Sequence, residues 1–165
     1  MWLRTATKND IESIRELLFA TWHELYDNLI SSESVDKIIG KWQSVDHFKK
    51  CLTRPSSEFI VADDGDELKG AAYALQGGVK GFPETVLIQQ LMVRPKYQGQ
   101  GIGKRLLIEV EESFPNARKC RVIILEKSTD AQKFYESQGY KKIGVPTPIQ
   151  EQKDVFEIVM EKELF

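Results

Sequence analysis

Hydrophobic and polar positions recur along the chain with two different periods, and the switches between them divide it into elements. Leu3-Arg4-Thr5-Ala6 reads as a short first strand. Thr7 and Asp10 form a capping-box-like T-x-x-D ahead of Ile11, Ile14, Leu17 and Leu18, whose spacing puts them on one face of an amphipathic helix. Val35, Ile38, Ile39, Trp42, Val45 and Phe48 stay near helical period and predict a single second helix from Ser34 to Leu52. Arg54-Pro55 ends it, because proline cannot continue a helix and restrains the residue before it. The pattern then turns to strands. Phe59 to Ala62 and Gly70 to Leu75 flank Asp63-Asp64-Gly65-Asp66, a strong turn signal. Val86 to Val93 is a third apolar run, interrupted only by Gln89 and Gln90. Gly101 to Phe114 is helical, Arg121 to Leu125 a strand, and Thr129 to Gln138 another helix. A strand opens at Gly139-Tyr140, and Val155 to Met160 is the last. The order βαα, βββ, αβαββ implies a mixed sheet with helices packed against it.

Composition narrows the function classes. At 165 residues, with no repeat, low-complexity tract or long linker, one domain over 1-165 is expected, large enough to bury roughly 70% of its unfolded surface without staples. Hydrophobic residues at 41% and charged residues at 29% place it among soluble globular proteins. A net charge of -2 argues against nucleic acid as a partner. No apolar run is long enough to span a membrane, and Met1-Trp2-Leu3-Arg4-Thr5 lacks the pattern of a signal peptide. Cys51 and Cys120 lie far apart, without CxxC spacing or a neighbouring histidine. Two reduced thiols in a cytoplasmic protein, with no metal site, is the expectation; a single disulfide is the alternative.

Chemistry concentrates in Val93-Arg94-Pro95-Lys96-Tyr97-Gln98-Gly99-Gln100-Gly101-Ile102-Gly103-Lys104, between a predicted strand and the helix after it. Alternate glycines let the backbone turn sharply and bring its N–H groups, with the positive end of the helix dipole, against an anion. From Thr85 to Ile108 there is no acidic residue, whereas Arg94, Lys96, Lys104 and Arg105 make a basic island in an acidic chain. A dinucleotide fingerprint from Gly99 would need glycine at position 104, where Lys104 stands. A P-loop would need four residues between its glycines and Ser or Thr after the lysine, and has neither here. A glycine-rich turn that binds nothing is the alternative at this point.

Read as Q-x-x-G-x-G at Gln98, Gly101 and Gly103, the segment resembles the pyrophosphate loop of the GNAT superfamily of acyl-CoA-dependent N-acyltransferases. Downstream, Ala131-Gln132-Lys133-Phe134-Tyr135-Glu136-Ser137-Gln138-Gly139-Tyr140 is similar to that family's A-x-x-F-Y-E-x-x-G-F/Y helix-to-strand element. The element order follows the family to a closing strand at Phe156 to Leu164. The resemblance implies an α/β (α+β) fold whose mostly antiparallel mixed sheet splays between its fourth and fifth strands, with helices on both faces. It also implies acetyl-CoA as acyl donor, with pantetheine along Leu91, Met92 and Val93. The pyrophosphate would lie on the N–H groups of Gln98, Gly99, Gln100, Gly101, Ile102, Gly103 and Lys104, with Arg94 or Lys96 at the adenosine phosphates. A neutral primary amine would attack the thioester, a backbone N–H in Leu91 to Val93 would hold the oxyanion, and Tyr135 would protonate the leaving thiolate. Tyr135 as plain core packing is the alternative.

Two departures from the family pattern stand out. Ser128 replaces a frequent asparagine three residues before Ala131; it can cap the helix or contact the cofactor. Leu87 and Ile123 stand where some members carry a catalytic carboxylate, and Gln89 and Gln90 are no substitute. Glu84, Glu126, Asp130 and His23 read better as surface or capping residues than as substitutes, which favours deprotonation through water or capture of the small neutral amine fraction. Trp22 and Tyr26, four apart at the end of the first helix, are candidates for an amine pocket or for packing. Gln89 and the loop from Gly77 to Pro83 are assigned to the same acceptor region. The acceptor is expected to be a small-molecule amine or peptide amine: a polyamine, an amino acid, an aminoglycoside-like compound or a peptide. A homodimer stays open. A non-catalytic acyl-CoA-binding module and a transferase of another acyl group are the competing functions.

Overall fold

The computed structural model describes residues 1–164, and the elements alternate much as the periodicity requires. The strands are β1 (Trp2–Thr5), β2 (Ser57–Asp63), β3 (Leu68–Gln76), β4 (Thr85–Val93), β5 (Lys119–Leu125), β6 (Lys141–Ile149) and β7 (Gln152–Glu163). The helices are α1 (Ile11–Ile30), α2 (Ser32–Ile39), α3 (Val45–Thr53), α4 (Ile102–Glu112) and α5 (Thr129–Ser137). One sheet holds all seven strands in the order β1-β2-β3-β4-β5-β7-β6. Every neighbouring pair is antiparallel except β4 and β5, which run parallel.

Two expectations need correction. The run read as one helix over 34–52 is two helices joined by a 3-10 turn at Gly40–Trp42. Gly40 weakens the helix interior, and Ser44 restarts the chain by accepting the His47 N–H at 3.0 Å as an N-cap. In the other direction, α1 runs on to Ile30, so Trp22 and Tyr26 lie in its second half rather than at its end. Ser31, at φ 85, then breaks the helix and caps α2 by accepting from Ser34 N–H at 3.1 Å.

Alternation along the strands separates two cores. On one face Ile14, Leu17 and Leu18 of α1 and Phe48 of α3 pack against Phe59, Val61, Ala71 and Tyr73. On the other, Leu106, Leu107 and Val110 of α4 pack against Ile60, Ala62, Ala72 and Ala74. Each buried Val, Leu, Ile or Phe among them contributes about 1.5–3 kcal/mol. The alanines of β3 leave room for helices on both faces. Glu111 pins α4 to the far side of the sheet: its carboxylate accepts from the Tyr140 hydroxyl at 2.9 Å and from Lys162 at 3.0 Å. Both cysteines are buried free thiols, but contrary to the expectation Cys51 has a histidine beside it, with His47 Nε2 one turn earlier in α3 and 3.5 Å from its Sγ. No helix among the described residues is long and apolar enough to cross a membrane.

Candidate active site

The sheet opens where β4 and β5 part. They pair only from Thr85–Ile88 to Lys119–Val122; beyond that β4 keeps β3 and β5 keeps β7. A bulge falls at the same place. Ala74 faces Ile88 while Tyr73 faces Gln90, so Gln89 is the extra residue. The bulge reverses the alternation, sending Met92 to the α1 face and Val93 to the α4 face, opposite to the parity set by Val86 and Ile88. Leu91 to Val93 thus run along an open gap with no partner on the β5 side.

A cavity of about 640 Å³ fills one side of the gap. Leu91, Met92 and Val93 floor it, Gln98, Gly99 and Gly101 to Lys104 close one end, and Ser128 to Ala131, Phe134 and Tyr135 form the far wall. Gln98 fixes the loop by donating its side-chain N–H to the carbonyl of Val93 at 3.1 Å. Gly101 has φ +81, Gly99 φ +78, and a Cβ on either would meet nothing within 4 Å. The N–H groups of residues 99–104 find no acceptor among the described residues. Gly101 is the N-cap of α4 and offers no side-chain oxygen, and no acidic residue lies in the first turn. Free donors, the positive helix end and open space together suit an anion of phosphate type. Gln100 is exposed and does not line the cavity.

Arg94 and Lys96 are engaged elsewhere. Arg94 Nε donates to the carbonyl of Leu68 at 2.8 Å, and Glu67 pairs with Arg94 at 3.5 Å and Lys96 at 2.9 Å while accepting from the Tyr97 hydroxyl. Both cations are tied to the β2–β3 turn; Lys104 and Lys127 line the cavity instead. Ser128 opens α5 without capping it. It is buried, and burial pushes the neighbouring Tyr26 phenol up, with Ser128 opposing.

A second cavity, of about 540 Å³, lies across the gap and shares Tyr26, Leu91, Met92, Ala131 and Tyr135 with the first. Its walls are aromatic: Trp22 stands edge-on to Tyr26 at 4.7 Å and to Trp42 at 5.3 Å. Leu87, Gln89 and Ile123 line it too. Tyr135, 4% exposed, sits at the junction with its ring against Phe134 and Tyr140 and its hydroxyl free of any described partner. Burial, with nearby Cys120 and Tyr26, pushes this phenol up, so it stays a proton donor.

A family model for the acetyltransferase (GNAT) domain matches residues 27–164. The chain belongs to the GNAT acetyltransferase family. It is 24% identical over 169 residues to the spermidine N(1)-acetyltransferase of Thermoplasma acidophilum, covering 98% of this chain and 96% of that protein. Over 101 residues it is 32% identical to the N-alpha-acetyltransferase RimI of Mycobacterium tuberculosis, 59% of this chain and 61% of the relative, so it spans about three fifths of that protein's length. In structure it superposes on the PaiA N-acetyltransferase of T. acidophilum in complex with coenzyme A, with a TM-score of 0.83, 20% identity and 98% of both chains covered.

Other residues singled out in the GNAT reading fall outside the site. The loop from Gly77 to Pro83 lies beside the paired end of β4 and lines neither cavity; its Phe82 stacks against Arg121 at 5.3 Å. Glu84 pairs with Arg118 on the surface, Glu126 is exposed, and His23 is held between Asp27 at 2.6 Å and Asp36 at 2.8 Å. Asp130 borders the first cavity only. Sequence reasoning passed over Trp42, Lys41, His47, Glu151 and Glu157, all of which line the second cavity. The signal for Glu157 is a lone carboxylate in the apolar closing run Val155 to Met160.

Proposed function

We propose that the protein is an N-acetyltransferase that moves the acetyl group of acetyl-CoA to the primary amine of a small-molecule or peptide acceptor by direct attack. The observation that carries this reading is the meeting of two cavities at Tyr135 over the unpaired half of β4. The names of the relatives, all N-acetyltransferases, support it.

The 640 Å³ cavity takes the donor. Pyrophosphate accepts N–H bonds from residues 99–104, not from Gln98, whose backbone N–H is donated to the Pro95 carbonyl at 3.1 Å, and pantetheine extends along Leu91 to Val93 as an added strand would. The acetyl carbonyl then lies at the junction, where a backbone N–H of Leu91 to Val93 receives the oxyanion. The amine enters from the 540 Å³ cavity past Trp22, Tyr26 and Gln89. Its nitrogen bonds to the carbonyl carbon, the C–S bond breaks, and the Tyr135 hydroxyl gives its proton to the sulfur. The test is incubation with acetyl-CoA and a panel of alkylamines, amino acids, aminoglycosides and peptides, with free thiol measured. Amine-dependent thiol release is expected; folded protein that releases none with any class refutes the reading.

A further inference from the structure

The acceptor side carries an unbalanced charge. Two carboxylates line the 540 Å³ cavity, Glu151 and Glu157. Glu151, in the turn between β6 and β7, pairs with Lys41 from the 3-10 turn after α2. Glu157 makes no ion pair or side-chain hydrogen bond among the described residues, although it is only partly exposed. It lies on β7 opposite Leu125 of β5 and Thr147 of β6, on the face of β7 that carries Val155. Val155 packs with Leu125, Ile38, Trp22 and Trp42, so this face looks into the aromatic walls.

The remaining ionisable neighbours do not neutralise Glu157. His47 of α3 is pushed down by burial and by Lys50 and Lys41, so it is uncharged at pH 7. Tyr26 of α1, Cys51 of α3, Tyr73 of β3 and Tyr135 of α5 are pushed up by burial and are also uncharged. Burial and then the Glu151 charge push Glu157 up, with Lys41 opposing, which makes it a stronger base than an exposed glutamate. One net negative charge inside an aromatic-walled cavity is the complement of one alkylammonium group.

Resting on the acetyltransferase reading above, we propose that Glu157 is the acceptor-side catalytic residue: it binds the incoming alkylammonium and takes its first proton, and it selects amines with no carboxylate beside the nitrogen. The protons balance. Glu157 takes one from R–NH3⁺ and later gives it to water. The neutral amine attacks, Tyr135 protonates the departing sulfur, and the Tyr135 oxygen recovers the second nitrogen proton as the amide forms. One proton is released per acetyl group moved. A carboxylate on the carbon next to the nitrogen would lie against Glu157 and be repelled in a cavity that has already committed Lys41.

The experiment compares the parent with Glu157→Gln and Glu157→Asp on linear mono- and diamines and the matching α-amino acids, following thiol release from pH 5 to 9. For the parent, alkylamines should exceed their amino-acid counterparts in kcat/KM, with an acid limb set by Glu157. Glu157→Gln should lose about a hundredfold or more at pH 7 and lose that limb, while Glu157→Asp keeps the limb. Acetyl-CoA affinity should not change, and the melting temperature of Glu157→Gln should hold or rise, because the substitution removes an unpaired, half-buried charge. A parent that turns over while Glu157→Gln keeps its rate and acid limb overturns this proposal alone. So does a preference for amino acids, or a Glu157→Gln variant that melts lower and loses acetyl-CoA binding. A parent that releases no thiol with any amine overturns the acetyltransferase reading and this proposal with it.

Discussion

Removing one oxygen from Tyr135 separates chemistry from folding more cleanly than any other change in this protein. The ring of Tyr135 contacts Phe134 at 5.0 Å and Tyr140 at 5.2 Å, and Tyr135→Phe preserves both contacts. The hydroxyl has no described protein partner, so its loss breaks no hydrogen bond in the folded chain. Stability should therefore change by less than about 1 kcal/mol, which for a domain of this size moves Tm by about 2–4 °C at most. The barrier should change far more. A positioned acid contributes about a hundredfold to ten-thousandfold, or about 2.7–5.4 kcal/mol at 1.36 kcal/mol per decade. Single-turnover thiol release reads the chemical step, calorimetry with coenzyme A reads donor binding, and a thermal melt reads the fold. Slow release with unchanged binding and Tm is the expected triad. A parental single-turnover rate would remove Tyr135 from the mechanism. An unfolded variant would make the hydroxyl structural, against its lack of a partner.

Gly101→Asp puts a carboxylate where the loop must face an anion, at φ +81; coenzyme A should bind at least about tenfold more weakly (about 1.4 kcal/mol), with a stability loss of about 1–2 kcal/mol, and equal binding by folded variant and parent would refute the loop assignment. Gly70→Ala places a Cβ 2.8 Å from the carbonyl oxygen of Met92, so β4 must shift; a loss of about 1–3 kcal/mol by denaturant unfolding is expected, and an unchanged midpoint would contradict the packing of β3 on β4. Burial pulls the His23 imidazole down, but hydrogen bonds to Asp27 and Asp36 outweigh it and leave its pKa raised. The stabilisation is then full below the unfolded value of about 6.5 and is lost as pH rises through the folded value, so the Tm gap between parent and His23→Gln should be widest near pH 6 and narrow toward pH 9. A gap that stays constant with pH would refute the charged bridge.

Much of the fold was legible because its determinants are local. The short continuous apolar runs Phe59 to Ala62 and Gly70 to Leu75, with the Asp-Gly turn between them, specify the β2–β3 hairpin without help from the rest of the chain. The break between α2 and α3 was hidden for an opposite reason. Trp42 and Val45 continue the apolar period across it, and the competing signals, Gly40 and the Ser44 cap, are worth only about 1 kcal/mol each. Periodicity sees which residues are buried; here it could not see that two helices share one buried stripe. The bulge at Gln89 was also invisible, since only pairing with β3 reveals that one residue of β4 is extra.

The same distinction runs through the site. The donor cavity is built chiefly from two continuous segments, 91–104 and 128–138, and its key contacts are backbone N–H groups that demand glycine in a fixed pattern, so a motif can report it. The acceptor cavity draws on the splayed strands β4 and β5, and its other side chains come in ones, twos and threes from α1, α2, the 3-10 turn, α3, β2, β3, α5, β6, the β6–β7 turn and β7. No spacing along the chain links Trp22, Lys41, Glu151 and Glu157; only the sheet order, which sets β7 between β5 and β6, brings them to one space. This division has a mechanistic consequence. Side chains on the acceptor side can change without disturbing the loop or the splayed strand, so one donor site can serve many amines. The carboxylate that the fourth and fifth strands lack at Leu87 and Ile123 does not have to be restored there. A strand farther along the sheet presents one to the same cavity at Glu157, where the apolar walls that hide it from a motif search also raise its basicity.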